Sequence, residues 1–99
     1  MITEIAVVQI ASDKVPALQE TVARLKPVIM AMPGFRAWRQ LHSPGESFLV
    51  TDVLEWDTME QALEASDTMM QTPEGQAYGA LMEKILVFTH STQAFQERL

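Results

Sequence analysis

The chain has 99 residues and a mass of 11.1 kDa, enough for one domain and no second, with 47% hydrophobic and 20% charged side chains. That apolar content excludes disorder, and with no cysteine there is no disulfide scaffold, thiolate metal site or cysteine nucleophile. The formal charge of −6 is lopsided, five basic and four acidic residues up to Val50 against two and nine beyond it; no basic patch for nucleic acid or an anionic membrane is expected.

In chain order, Ile5-Ala6-Val7-Val8-Gln9-Ile10 is short and β-branched, followed by Ser12-Asp13 as punctuation. It predicts a buried first strand. Asp13 is expected to cap a helix from Lys14, with Pro16 in the first turn, where no intrahelical N–H partner is needed. Val15, Leu18, Val22, Leu25, Ile29 and Met32 then recur at steps of three and four, one helical face. Pro27 interrupts this helix and Pro33-Gly34 ends it. Two strands follow, Phe35 to about His42 and Ser47 to Trp56, joined by Ser43-Pro44-Gly45-Glu46 read as a type II turn.

Asp57 with Glu60 three residues later predicts a capping box for a second helix, with Met59, Ala62, Leu63, Ser66 and Met70 on one face. Thr72-Pro73 restarts a short helix to about Met82. Ile85–Phe88 opens a last strand, and Gln93–Leu99 is left as a tail. The order βαββαβ is the ferredoxin-like α+β pattern, a four-stranded antiparallel sheet with helices on one face, in one domain spanning 1–99.

Helices on one face leave a difficulty. The first strand is apolar on both sides (Ile5 and Val7 against Ala6, Val8 and Ile10), and so is the last. A sheet apolar on both faces must be covered on both. A second copy of the chain is the economical cover, so a homodimer is expected. The longest apolar runs, Ile5–Val8 and Val28–Met32, are too short to span a bilayer, and Glu4 stands where a secretory leader would be basic. No membrane association and a cytoplasmic location are expected.

The sequence has no G-x-G-x-x-G, G-x-S-x-G or P-loop pattern. His42 and His90, the only histidines, lack metal-ligand spacing, so no metal is expected. If Pro44-Gly45 is the hairpin tip, Leu41 pairs with Phe48 and Arg39 with Val50. One face then carries Phe35, Ala37, Arg39, Leu41, Phe48, Val50, Asp52, Leu54 and Trp56, and as the more apolar face it should lie beneath the helices. Arg39 diagonal to Asp52, beside Trp56, would make the polar end of an aromatic ligand's pocket. A structural ion pair with a core tryptophan is the plainer alternative.

Met32-Pro33-Gly34-Phe35, Glu55-Trp56-Asp57-Thr58 with Glu60-Gln61-Ala62, and Gln71-Thr72-Pro73 with Ala77-Tyr78 together resemble the antibiotic biosynthesis monooxygenase-like proteins, quinol monooxygenase-like members above all. The resemblance spans nearly the whole chain in the same element order. It implies a dimeric α+β barrel, with two sheets facing each other and helices outside. It also implies either a cofactor-independent monooxygenase acting on phenols or quinols, or a heme degrader. In the heme degraders an Asn, a Trp and a His form the site. Here Trp56 matches the Trp, but Ala6 stands for the Asn and Gln76-Ala77 for the His region. The histidines of quinol-type members around the Thr-Pro pair are replaced by Met69, Met70 and Glu74.

Two readings follow. One is a monooxygenase that needs no cofactor and acts on a small aromatic substrate. Arg39 and Asp52 would orient a phenolate, His90 exchange its proton, and Trp56, Tyr78 and Phe48 contact the ring. The other is a non-catalytic barrel that binds a small ligand or stabilises a partner.

Overall fold

The computed structural model describes residues 1–99. Strand β1 (Ile2–Ile10) leads through a 3₁₀ segment (Ser12–Ala17) into α1 (Leu18–Met30). The hairpin β2 (Phe35–Ser43) and β3 (Phe48–Trp56) follows, then α2 (Met59–Gln71), α3 (Pro73–Gly79) and β4 (Met82–Ser91). The four strands form one antiparallel sheet in the order β2-β3-β1-β4. All helices lie on one face, so the fold is ferredoxin-like α+β.

Strand parity sets the core. Ile2, Glu4, Ala6, Val8 and Ile10 of β1 are all buried, and the residues between them only half so. On β3 the buried set is Val50, Asp52, Leu54 and Trp56, which pair across the sheet with Val8, Ala6, Glu4 and Ile2 respectively. Leu18, Leu25 and Ile29 of α1, Ala62 and Ala65 of α2, and Tyr78 of α3 close over this face. Glu4 and Asp52 are the two charged residues in that core.

The helix ends differ in detail from expectation. Asp13 caps nothing; Ser12–Ala17 is 3₁₀, and the α-helix proper starts at Leu18. Pro16, which lacks an N–H, sits in this tighter segment, and α1 runs on past Pro27 to Met30. Thr58 rather than Asp57 caps α2, its hydroxyl accepting from Gln61 N–H at 3.1 Å, because Asp57 is committed to Arg36 at 2.8 Å. The buried face of α2 is Ala62 and Ala65, with Met59, Leu63 and Met70 exposed. Thr72 caps α3 as expected, accepting from Gly75 N–H at 3.0 Å with Pro73 in the first turn.

Two glycines are required by geometry. Gly34 has φ +83°, and a side chain there would also run into Gln61. A Cβ on Gly75 would overlap the Met69 carbonyl, where α3 crosses the end of α2. No helix is long and apolar enough to cross a membrane.

The hairpin register corrects the expected faces of β2. Ser43 pairs with Leu49, His42 with Val50, Gln40 with Asp52 and Trp38 with Leu54, so the closing pair leaves five residues, 44–48, across the turn. Compared with a tip at Pro44-Gly45, β2 is displaced by an odd number of residues, which turns every side chain over. Trp38, Gln40 and His42 lie on the helix side. Arg39 and Leu41 lie on the open side, opposite Val53 and Thr51. An irregularity between Phe35 and Ala37 restores Phe35 to the helix side, beside Trp56.

Candidate functional site

The carboxylate of Asp52 is 4% exposed and gathers three donors. From β2, Trp38 Nε1–H and Gln40 Nε2–H both donate to Oδ1 at 2.9 Å. From α3, the Tyr78 hydroxyl donates to Oδ2 at 2.6 Å. Gln40 also donates to the Tyr78 oxygen at 3.1 Å, and its own carbonyl meets His42 Nε2 at 2.7 Å. Charge-assisted bonds of this kind are the strong ones, and they let an ion sit in a core. Burial raises the Tyr78 phenol above its ordinary value near 10, and the charge and hydrogen bond of Asp52 push it further. Tyr78 is therefore a fixed donor.

A second charged group lies one step along the sheet. Glu4 pairs with Leu54 while Ala6 pairs with Asp52, which makes Glu4 a diagonal neighbour of Asp52. His90, directly opposite on β4, meets Glu4 Oε1 through Nε2 at 3.0 Å. Burial raises the Glu4 carboxyl above the usual carboxylate value and Asp52 adds to the rise, while His90 and the nearby Trp56 indole pull it back. That indole N–H nonetheless makes no hydrogen bond.

Both carboxylates face a cavity of about 230 Å³ between the sheet and α2–α3. Trp38, Tyr78 and Ser66 complete its polar lining, and Met69, Met70, Met82, Ile85 and Phe88 make much of the apolar wall. Small-molecule pockets are mostly apolar with a few convergent polar groups, and this cavity has that character. Met70, Ile85 and Phe88 are each at least half exposed, which sets the mouth between α2 and the edge strand β4.

The residues singled out from sequence fare unequally. Asp52 and Tyr78 meet at the cavity wall. His90 stands behind Glu4 and makes an edge contact with Phe88 at 5.2 Å between ring centroids. Trp56 is 2% exposed, edge-on to Phe35, and borders a small void next to the main cavity rather than the cavity itself. Phe48 shares the face but lies at the far end of β3, opposite Ile10 and against His42, away from the cavity. Arg39 is on the other face of the sheet, so the expected Arg39–Asp52 pair does not form. Trp38 and Gln40 take its place as Asp52's partners. No three side chains of the His, Cys, Asp and Glu types come together as metal ligands.

Glu4, Trp38 and Gln40 escaped the sequence reading. The available signals were a carboxylate at a core position of β1, in line with Ile2, Ala6 and Val8, and a tryptophan assigned to the outer face while an arginine was assigned to the core.

Among solved structures, a provisionally assigned antibiotic biosynthesis monooxygenase from Bordetella bronchiseptica aligns over 95% of this chain and 97% of its own, with TM-score 0.75 and 18% identity. The chain has the fold of the antibiotic biosynthesis monooxygenases. SnoaB from Streptomyces nogalater, described as a cofactor-independent oxygenase, aligns over 96% and 94% with TM-score 0.71 and 18% identity. A dimeric ferredoxin-like protein from an uncultured marine organism aligns over 98% and 92% with TM-score 0.69 and 11% identity. No protein-family model and no curated protein sequence matches the chain.

Proposed function

We propose that this chain is a cofactor-independent monooxygenase for a small hydroxylated aromatic compound, phenol or quinol in type, bound between the sheet and α2–α3. The observation that carries the reading is Asp52, a buried carboxylate held by three donors in the wall of an otherwise apolar cavity. A carboxylate offers about four acceptor sites. Three are filled, which leaves one for the hydroxyl of a ligand whose ring packs on the methionines and Phe88. The likeness in fold to a described cofactor-independent oxygenase supports the same reading.

The reaction needs dioxygen as co-substrate and a ligand electron-rich enough to reduce it. Loss of the phenolic proton raises the electron density of the ring, and a ring carbon then forms a C–O bond to dioxygen. Cleavage of the O–O bond leaves one oxygen as a carbonyl and releases the other as water, so that phenol plus O₂ gives quinone plus H₂O. Within this scheme Asp52 orients the hydroxyl and Tyr78 borders the ring. The competing reading, a barrel that binds the ligand without turning it over, is favoured by the three protein donors on Asp52, which tie it to structure. Dioxygen uptake separates the two: with a hydroquinone, the enzyme raises uptake above autoxidation and Asp52→Asn abolishes the excess. Uptake equal to the protein-free rate would leave the binding reading.

The homodimer belongs to the same proposal. Ile5, Val7, Leu41, Leu49, Val53 and Val87 make the helix-free face of the sheet apolar, and a second copy laid across it would bury them. Such an interface buries about 1,200–2,000 Å² in total. Light scattering at low micromolar concentration is expected to give about twice the 11.1 kDa chain mass.

A further inference from the structure

We propose that Glu4 is the group that takes the proton of a phenolic ligand in this cavity, with His90 behind it as a positioning residue. The inference rests on the reading of the cavity as a phenol site and goes beyond it by naming the base. Glu4 Oε1 is occupied by His90 Nε2 at 3.0 Å. Its other oxygen accepts no hydrogen bond of ordinary geometry, although the Trp56 indole lies near the carboxyl. Nor is it sealed off, since among buried side-chain atoms only Trp56 Nε1 is both enclosed and unbonded. That free oxygen belongs to a residue lining the cavity. Asp52 is the weaker candidate, with both oxygens already bonded and Tyr78 fixed on it as a donor.

Charge decides between Glu4 acting alone and Glu4 acting with His90. A phenolate beside the Asp52 carboxylate is repelled unless a positive group is near. With His90 protonated, the ligand hydroxyl turns its one proton from Asp52 to Glu4, the O–H bond breaks, an Oε–H bond forms on Glu4, and the negative charge moves from Glu4 to the ligand. The total charge is unchanged, and the imidazolium remains to offset Asp52. Burial raises the proton affinity of Glu4, which lessens the uphill cost of the transfer. The other groups facing Glu4 do not compete for the proton. From β3 come Asp52 and the Trp56 N–H, from α3 the firmly protonated Tyr78, and from α1 and α2 only side chains that do not titrate, among them Ile29, Ser66 and Met69. Activity is therefore expected to fall in acid as Glu4, whose proton affinity burial raises, takes up a proton.

The test uses 4-nitrophenol, whose phenolate absorbs in the visible, bound to the full chain below the probe's own pKa. The wild type is expected to bind it partly ionised. Glu4→Gln, of equal size and uncharged, should bind it with the ionised-to-neutral ratio at least about tenfold lower, equivalent to one unit in its apparent pKa. His90→Gln keeps a donor on Glu4 without the charge and should lower the ratio as well, which a merely structural histidine would not do. Wild type and Glu4→Gln binding the probe with the same ionised fraction would overturn the role of Glu4 and leave the phenol site standing. Failure of the wild type to bind either 4-nitrophenol or hydroquinone would overturn both.

Discussion

Tyr78→Phe and Asp52→Asn, singly and together, measure whether the carboxylate of Asp52 organises the cavity wall. Tyr78→Phe deletes a 2.6 Å hydrogen bond to a charged acceptor, worth about 1.5–3 kcal/mol. Asp52 keeps Trp38 and Gln40, and Gln40 keeps Asp52, so no second group is orphaned. For a chain of this size a loss of ~2 kcal/mol lowers Tm by about 8–16 °C. Asp52→Asn preserves shape and one acceptor oxygen but removes the charge, and charge-assisted bonds are about twice as strong as neutral ones. The double variant should therefore be more stable than the sum of the single losses implies, by a coupling of about 1–2 kcal/mol. Urea unfolding followed by tryptophan fluorescence supplies all four stabilities, at one fixed protein concentration because association shifts apparent stability. Additivity to within about 0.3 kcal/mol would mean that Asp52 does not hold Tyr78, and the description of the site would fail with it.

Tyr78 is the chain's only tyrosine, so phenolate absorbance in an alkaline titration reports it alone. Its folded-state value is raised above the ordinary 10, so its contribution to stability is complete below pH 10 and is lost as the pH climbs beyond it. Phenolate should appear only together with unfolding; a simple titration near pH 10 in folded protein would contradict the buried bond to Asp52. Trp56→Phe trims a packed ring but removes an N–H without a partner, and the two effects oppose each other. Its stability in urea should stay within about 1 kcal/mol of wild type, whereas Trp56→Ala, which leaves an uncompensated cavity, costs about 3–5 kcal/mol. A loss for Trp56→Phe as large as that for alanine would show that the indole N–H is satisfied after all.

The first strand, read from Ile5 and apolar on both sides, was legible as a strand but not in its buried face. The element order and the core face of β3 were legible in the sequence because they rest on local patterns: Val50, Leu54 and Trp56 on one side of β3, three-four spacing along α1, and Thr72-Pro73 at the start of α3. The faces of β2 were not. They depend on how many residues the hairpin loop uses and on the irregularity near Arg36, and a shift by an odd number inverts the whole strand. That single error put Arg39 in the pocket and hid Trp38 and Gln40. Asp52 was placed correctly because β3 pairs with β1 as well as β2, so its face follows from the apolar alternation of Val50, Leu54 and Trp56. Glu4 and His90 come together across 86 positions of sequence, and only the β1–β4 register makes them neighbours.

The claim that this cavity takes a hydroxylated aromatic is tested most directly at Trp38, whose indole lines the cavity and donates to Asp52, while Trp56 does not border it. The chain has two tryptophans, hence two indole N–H signals in a ¹H–¹⁵N correlation spectrum, assigned with Trp56→Phe. On titration with 1-naphthol the Trp38 signal should move saturably as the ligand hydroxyl joins the Asp52 network, and Asp52→Asn should weaken that binding at least about tenfold, the loss of roughly 1.4 kcal/mol. Indole signals that stay fixed up to the solubility limit of the naphthol would contradict the account.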